Sequence, residues 1–233
     1  MIPDDKLSGR HPEQLVGVRV WDLPIRLVHW LIVPLVGCSW ITAKSGWLNW
    51  HLVSGCAVLT LVLFRIYWGF YGSESARFSH FLRGPGAVWR YVRALSAASP
   101  RLVSIGHNPL GGWNVIALLV TLLLEGGLGL FAVDVDGLES GPLAHYISFT
   151  AGRQIAALHE IIFNLLLLLV GLHVAAVCAH LLYKRENLIA PMFTGVKRVS
   201  VAQAARPASV APWRAWAGFA GATLLVWVLA VAL

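Results

Sequence analysis

Five of the nine histidines in this chain, His29, His51, His159, His173 and His180, stand in or at the edges of long apolar runs. An ionisable side chain held in hydrocarbon is costly and marks function by default. A lone imidazole there is also accounted for by a helix–helix hydrogen bond, so the arrangement carries the argument. His159 and His173 are fourteen residues apart in one run. At a rise of 1.5 Å and 100° per residue, they lie about 21 Å apart along a helix with only about 40° of angular drift. Both imidazoles therefore point to the same side of their helix, one near each end. Neutral imidazole is a common metal ligand, and two such groups stacked in depth call for partners at two matching depths.

The elements that must position them are membrane spans. The chain has 233 residues, of which 58% are hydrophobic and 12% charged. A soluble domain carries about 25% charged residues, so too little charge is present to cover a wetted surface. About 20 apolar residues in a helix cross the hydrocarbon core, and suitable runs fall at 27–43, 47–70, 112–133, 153–182 and 213–233. Pro34 kinks the first, which neighbouring helices tolerate in a membrane. The second ends in an aromatic cluster, Tyr67-Trp68-Gly69-Phe70-Tyr71, suited to the interface. The three cysteines, Cys38, Cys56 and Cys178, lie inside apolar runs and form no CxxC or CxxCH pair, which leaves them as packing residues.

The net charge of +7 is a topology signal. Lys6, Arg10, Arg19 and Arg26 precede the first span. Arg65, Arg77, Arg83, Arg90, Arg93 and Arg101 fall between the second and third, and Lys184, Arg185, Lys197, Arg198, Arg206 and Arg214 between the fourth and fifth. Only Lys44 and Arg153 of the eighteen basic residues lie on the other side, where Asp134, Asp136 and Glu139 also fall. By the positive-inside rule the N-terminus is cytoplasmic and the C-terminus outside. A nucleic-acid role is excluded on the same distribution. The opening MIPDDKLSGR lacks a secretory signal pattern. Residues 72–111 read as a short amphipathic helix on the inner leaflet, and residues 199–212 as a small-residue linker to the fifth span.

This topology sets the depth of each histidine. His29 begins the first span and lies toward the inner face; His51 begins the second and lies toward the outer face. Depth then pairs His51 with His159 outside and His29 with His173 inside. Two pairs of imidazoles from facing helices suit two haems, each iron held from both sides. Zinc would want three or four ligands in one cluster. Gly37, Gly55 and Gly171, with Gly126, Gly127 and Gly129, either pack helices closely or leave room for a flat macrocycle. His180, about 10 Å beyond His173 and nearly in line with it, is an alternative inner ligand or a propionate contact. Choosing it would separate the irons by about 31 Å, more than the hydrocarbon thickness, so His173 is preferred. His11, His80, His107 and His145 fall in loops and read as surface residues. Glu160 reads as solvated or in contact with Arg153. Glu125, deeper in TLLLEGGLGLF, either relays a proton or hydrogen-bonds a neighbouring helix.

Several segments together resemble the prokaryotic cytochrome b561 family, which includes cytochrome b subunits of nickel–iron hydrogenases. They are RVWDLPIRLVHWL (Arg19 to Leu31), WHLVSGCAVLTLVLFRIYWGFYGSESARFSHF (Trp50 to Phe81), GHNPLGGWNVIALL (Gly106 to Leu119), HEIIFNLLLLLVGLHVAAVCAH (His159 to His180) and NLIAPMFTGVKR (Asn187 to Arg198). The resemblance spans about residues 17–198. It implies an all-α integral membrane protein: a four-helix haem-binding bundle over 27–198, preceded by a cytoplasmic segment 1–26. The linker and an additional C-terminal transmembrane helix, 213–233, follow it. It also implies two haem b groups, with His29, His51, His159 and His173 at the family's ligand positions. Arg19, Arg65 and Arg77 are candidates for the propionates.

The function so implied is electron transfer across or within the bacterial cytoplasmic membrane. The expected partners are the quinone pool and a protein, either a c-type cytochrome or an iron–sulfur subunit of a hydrogenase-like respiratory enzyme that this chain would anchor. A small proton-coupled transporter using the histidines and Glu125 is the alternative of a different class. Against it, the histidines pair by depth rather than forming a chain, and inverted repeats are absent from the sequence.

Overall fold

The computed structural model describes residues 15–96, 106–136, 139–201 and 210–232. His11, Lys6, Arg10, Arg101, Arg206, the opening residues 1–14 and most of the predicted linker lie outside the described residues. Five helices are long and apolar enough to cross a membrane. They are α1 (Leu23–Lys44), α2 (Leu48–Tyr71), α5 (Pro109–Gly129), α6 (Phe149–Leu182) and α8 (Trp213–Trp227), the last continuing as a π-helical turn through Ala232. Between them lie α3 (Phe78–Phe81), α4 (Pro85–Ser96) and α7 (Ile189–Thr194), with strands β1 (Leu15–Arg19) and β2 (Val196–Ser200).

Three of the spanning helices begin before their apolar runs because a polar residue caps them. The Asp22 carboxylate accepts from the Ile25 amide at 2.9 Å, and Pro24 sits in the first turn of α1. Asn108 accepts from the Gly111 amide at 2.7 Å ahead of α5, and Ser148 from the Ala151 amide at 3.2 Å ahead of α6. The turn between α1 and α2 is only three residues long, and Gly46 takes a left-handed φ of +71° within it. Helix α5 stops at Gly129, and the residues after it bend into an outer loop closed by a bridge between Val133 and Ser140.

Helix α2 is the hub. It packs against α1, α5 and α8, while α5 packs in turn against α6. Val58 and Val62 of α2, Leu119 and Leu122 of α5 and Leu166 of α6 form one buried cluster, joined by Ile32, Leu35 and Val36 of α1. With lipid tails as apolar as leucine, such contacts hold helices together by close packing rather than by escape from water. Helix α8 lies against α2, with Gly218 against the ring of Tyr67; a Cβ at Gly218 would come within 2.2 Å of that ring. Along α6, Leu165, Leu167, Leu168 and Leu172 are exposed, a surface suited to lipid.

The amphipathic segment expected within 72–111 is present as α4, with Trp89 exposed and Tyr91 buried. A two-stranded antiparallel ribbon was not expected. It pairs Leu15 with Ser200 through to Arg19 with Val196, and so takes residues that read as an N-terminal approach, as the end of the closing segment up to Arg198, and as the first two residues of the linker. Gly195 leads into it at φ +79°. Its carbonyl accepts from the amides of Val20 and Trp21 at 2.8 and 3.2 Å, and a Cβ there would meet the Trp21 carbonyl at 2.7 Å.

Candidate functional site

The imidazoles of His51 on α2 and His159 on α6 stand with ring centroids 6.1 Å apart. Those of His29 on α1 and His173 on α6 stand 6.3 Å apart. Two imidazoles bound to opposite sides of one metal at about 2.0–2.1 Å, with ring centres about 1.1 Å behind the bonding nitrogens, have centroids about 6 Å apart. Both pairs meet that spacing. Among the described residues, no three metal-ligating side chains converge on one point.

The second nitrogen of three of these rings is already held. His51 donates from Nδ1 to the Ser39 carbonyl at 2.9 Å, with the Ser39 hydroxyl at 3.1 Å. Nδ1 of His159 donates to the Glu125 carbonyl at 3.0 Å. The side-chain amide of Asn114 hydrogen-bonds Nδ1 of His173 at 3.3 Å. Donated from Nδ1, as at His51 and His159, such a bond fixes ring orientation and leaves Nε2 free, the arrangement found around metal-bound histidine. At His173 the Asn114 amide nitrogen donates to Nδ1, and Nε2 becomes free for a metal once that amide turns its oxygen to the ring. His29 differs: its Nδ1 is buried with no hydrogen-bond partner among the described residues.

The outer pair lines a cavity of about 370 Å³, shared with Gly55, Gly126 and Gly129. A Cβ at Gly129 would stand 3.3 Å from Cε1 of His159, while at Gly55, Gly37 and Gly171 nothing lies within 4 Å. The first glycine serves close packing and the other three border open space. The spacing of both pairs, and the cavity at the His51–His159 pair, suit a flat group held between two histidines.

His180 stands apart from both pairs and returns its Nδ1 to the carbonyl of Ala176 on its own helix at 2.9 Å. Glu125 lies beside His159, its carboxylate 3.4 Å from Nε2 and its other oxygen buried without a partner. The helix–helix contact expected of it is thus made. Glu160 is exposed, and Arg153 instead donates to the Val133 carbonyl at 2.9 Å.

The three arginines singled out for propionates separate. Arg19 is exposed on β1, and Arg77 donates to the Gly72 carbonyl at 3.0 Å. Arg65 is buried at 7% exposure, over the Phe78 ring at 5.3 Å.

His107 corrects the surface reading given to loop histidines. It is partly buried between the rings of Trp21 and Phe81, at 4.7 and 4.9 Å. Burial first, then the charges of Arg65 and His173, pull its pKa down to about 4. The only hint in the sequence was its place one residue before the α5 cap. His80, by contrast, is exposed beside Glu74, and His145 is exposed on the outer loop.

The family model of prokaryotic cytochrome b561 matches residues 20–195. The chain belongs to that family: it is a multi-pass membrane b-type cytochrome, a haem protein of electron transport. Comparison with curated proteins and with solved structures finds no significant match to either.

Proposed function

We propose that the chain carries two b-type haems, one between His29 and His173 and one between His51 and His159, and passes electrons through the bacterial cytoplasmic membrane. The observation that carries this reading is the pair of imidazole separations, 6.3 and 6.1 Å, at opposite ends of one helix. Bound there, a haem supplies a one-electron carrier with no open coordination position. The chain's own part is to hold the rings. Ser39, Glu125 and Asn114 orient three of the four imidazoles, and the leucine and valine layer between the two levels keeps water out. The Glu125 carboxylate stands 3.4 Å from Nε2 of His159, the nitrogen that would hold the iron, and would have to leave it free for that.

The donor and acceptor in this reading are the quinone pool and a protein redox partner, a c-type cytochrome or an iron–sulfur subunit. Residues 27–198 form the haem-carrying unit and the fifth helix stands outside it. The basic residues put the N-terminus in the cytoplasm and the C-terminus in the periplasm.

A pyridine haemochrome assay with a reduced-minus-oxidised spectrum on the detergent-purified protein tests the reading. Two b-type haems per chain are expected, reducible by quinol. One haem removes one of the two pairs. A folded, haem-supplied preparation without haem overturns the proposal and favours the transporter.

A further inference from the structure

A second cluster lies at the inner end of the bundle, outside the four paired histidines. Arg65 is a buried guanidinium whose recorded hydrogen bond is one long contact, 3.4 Å, to the Ala76 carbonyl. A guanidinium offers five N–H donors, and a buried cation is stable only when paired. Asp22 is the nearest candidate, but its carboxylate already accepts from the Ile25 amide, Trp68 Nε1 at 2.7 Å and the Ser73 hydroxyl at 2.5 Å. No ion pair within contact distance joins Asp22 to Arg65 among the described residues.

A continuous aromatic frame runs from this arginine to a second polar group. Arg65 lies over Phe78, Phe78 packs on Phe81 at 5.8 Å, Phe81 packs on His107 at 4.9 Å, and His107 packs on Trp21 at 4.7 Å. His107 lies within electrostatic reach of both Arg65 and His173, and it stays neutral at physiological pH. A neutral imidazole still donates one N–H. The cluster thus sets an under-used guanidinium and a neutral N–H donor together at the inner end of the bundle, with His107 within electrostatic reach of one ligand of the inner pair. Both are framed by rings that exclude water.

We propose that Arg65 and His107 form the carboxylate seat of the inner haem, Arg65 by ion pairing and His107 by donating a hydrogen bond to a propionate. The seat rests on the di-haem reading above. It assigns to His107 a role that its loop position concealed, and it chooses Arg65 over Arg19 and Arg77. A fixed positive charge at the inner haem also favours its reduced state, since the ferric form carries one more positive charge.

The test compares the wild type with Arg65→Gln, His107→Phe, which fills the slot without a donor, and His107→Gln, which keeps one. Each is purified with its haems, and a redox titration resolves the two centres. The expected result is a lowered inner potential in R65Q, by about tenfold in the reduction equilibrium or about 59 mV for one electron. The outer potential should stay unchanged. The inner haem should also be lost faster to an apo-haem acceptor in R65Q and H107F, with H107Q close to wild type.

Proteins loaded with haem dimethyl ester, which has no free carboxylate, are then compared. On that cofactor the wild type should lose its inner haem as fast as the variants. If the variants still differ from wild type with the ester, the residues act on the fold and the seat is overturned. Loss of both haems together, or no change at either, overturns it as well. A wild type without two haems would instead sink the di-haem reading, and this is read before any variant.

Discussion

His29 and His173 face each other at 6.3 Å between ring centroids, while His180, two turns further along α6, bonds the carbonyl of Ala176 on its own helix. The separation favours His173 over His180 for the inner level of the proposed di-haem arrangement. His173→Ala is expected to remove one haem per chain and leave the other. His180→Ala should keep both, and a haemochrome assay on the two variants checks this. A one-haem His180→Ala protein would reverse the assignment.

Among the described residues, Asn114 is the one side chain hydrogen-bonded to Nδ1 of His173. Removing a partner of this kind costs about 10–100-fold in metal affinity. Asn114→Leu, similar in size, should therefore release the inner haem about 10–100-fold more readily, with the outer haem retained. Competition with an apo-haem acceptor measures both rates in one sample. Equal release of the two haems would count against the contact.

The lowered pKa of His107, about 4, sets a direction for pH. Folded, the ring stays neutral down to about pH 4; unfolded, it takes a proton near its ordinary value of about 6.5. Between those values the unfolded chain binds more protons, so stability rises with pH across the window and falls as acid is added. At about 1.4 kcal/mol per pH unit, the loss on going from pH 6.5 to 4 is on the order of 3 kcal/mol. Thermal unfolding of the haem-free protein at several pH values should show this acid loss, and His107→Gln should flatten that part of the curve; a propionate seated on the ring would shrink the loss in the haem-loaded protein. An unchanged slope in His107→Gln would show that other groups set it.

Gly218 admits the Tyr67 ring against the backbone of α8. Gly218→Leu overfills that contact and should destabilise the α2–α8 interface by about 1–3 kcal/mol. The four proposed haem ligands are on other helices or other faces, so the visible spectrum should not change. Thermal unfolding and the reduced spectrum of the same variant test the two halves of this expectation. A changed spectrum would make the fifth helix part of the haem-carrying unit.

What could be read from the sequence followed from how local each feature is. His159 and His173 share one helix, so their angular relation needs only the helical repeat, and their partners needed only depth and topology. The five spans were legible for the same reason, apart from their first turns. There Asp22, Asn108 and Ser148 extend the helix beyond the apolar run. His107 was misread because Trp21 and Phe81, which bury it, arrive from distant parts of the chain. The β1–β2 ribbon escaped notice because its strands are five residues each, and Leu15 finds Ser200 across the whole bundle.

That ribbon also has a consequence in time. Its first strand leaves the ribosome before any span, and its second emerges only after α6 is complete. Until then the segment leading into α1 has no strand to pair with, and Gly195 is not there to receive the amides of Val20 and Trp21. The end of the bundle that carries the ribbon is therefore latched only once α6 has been made, with α8 still to follow.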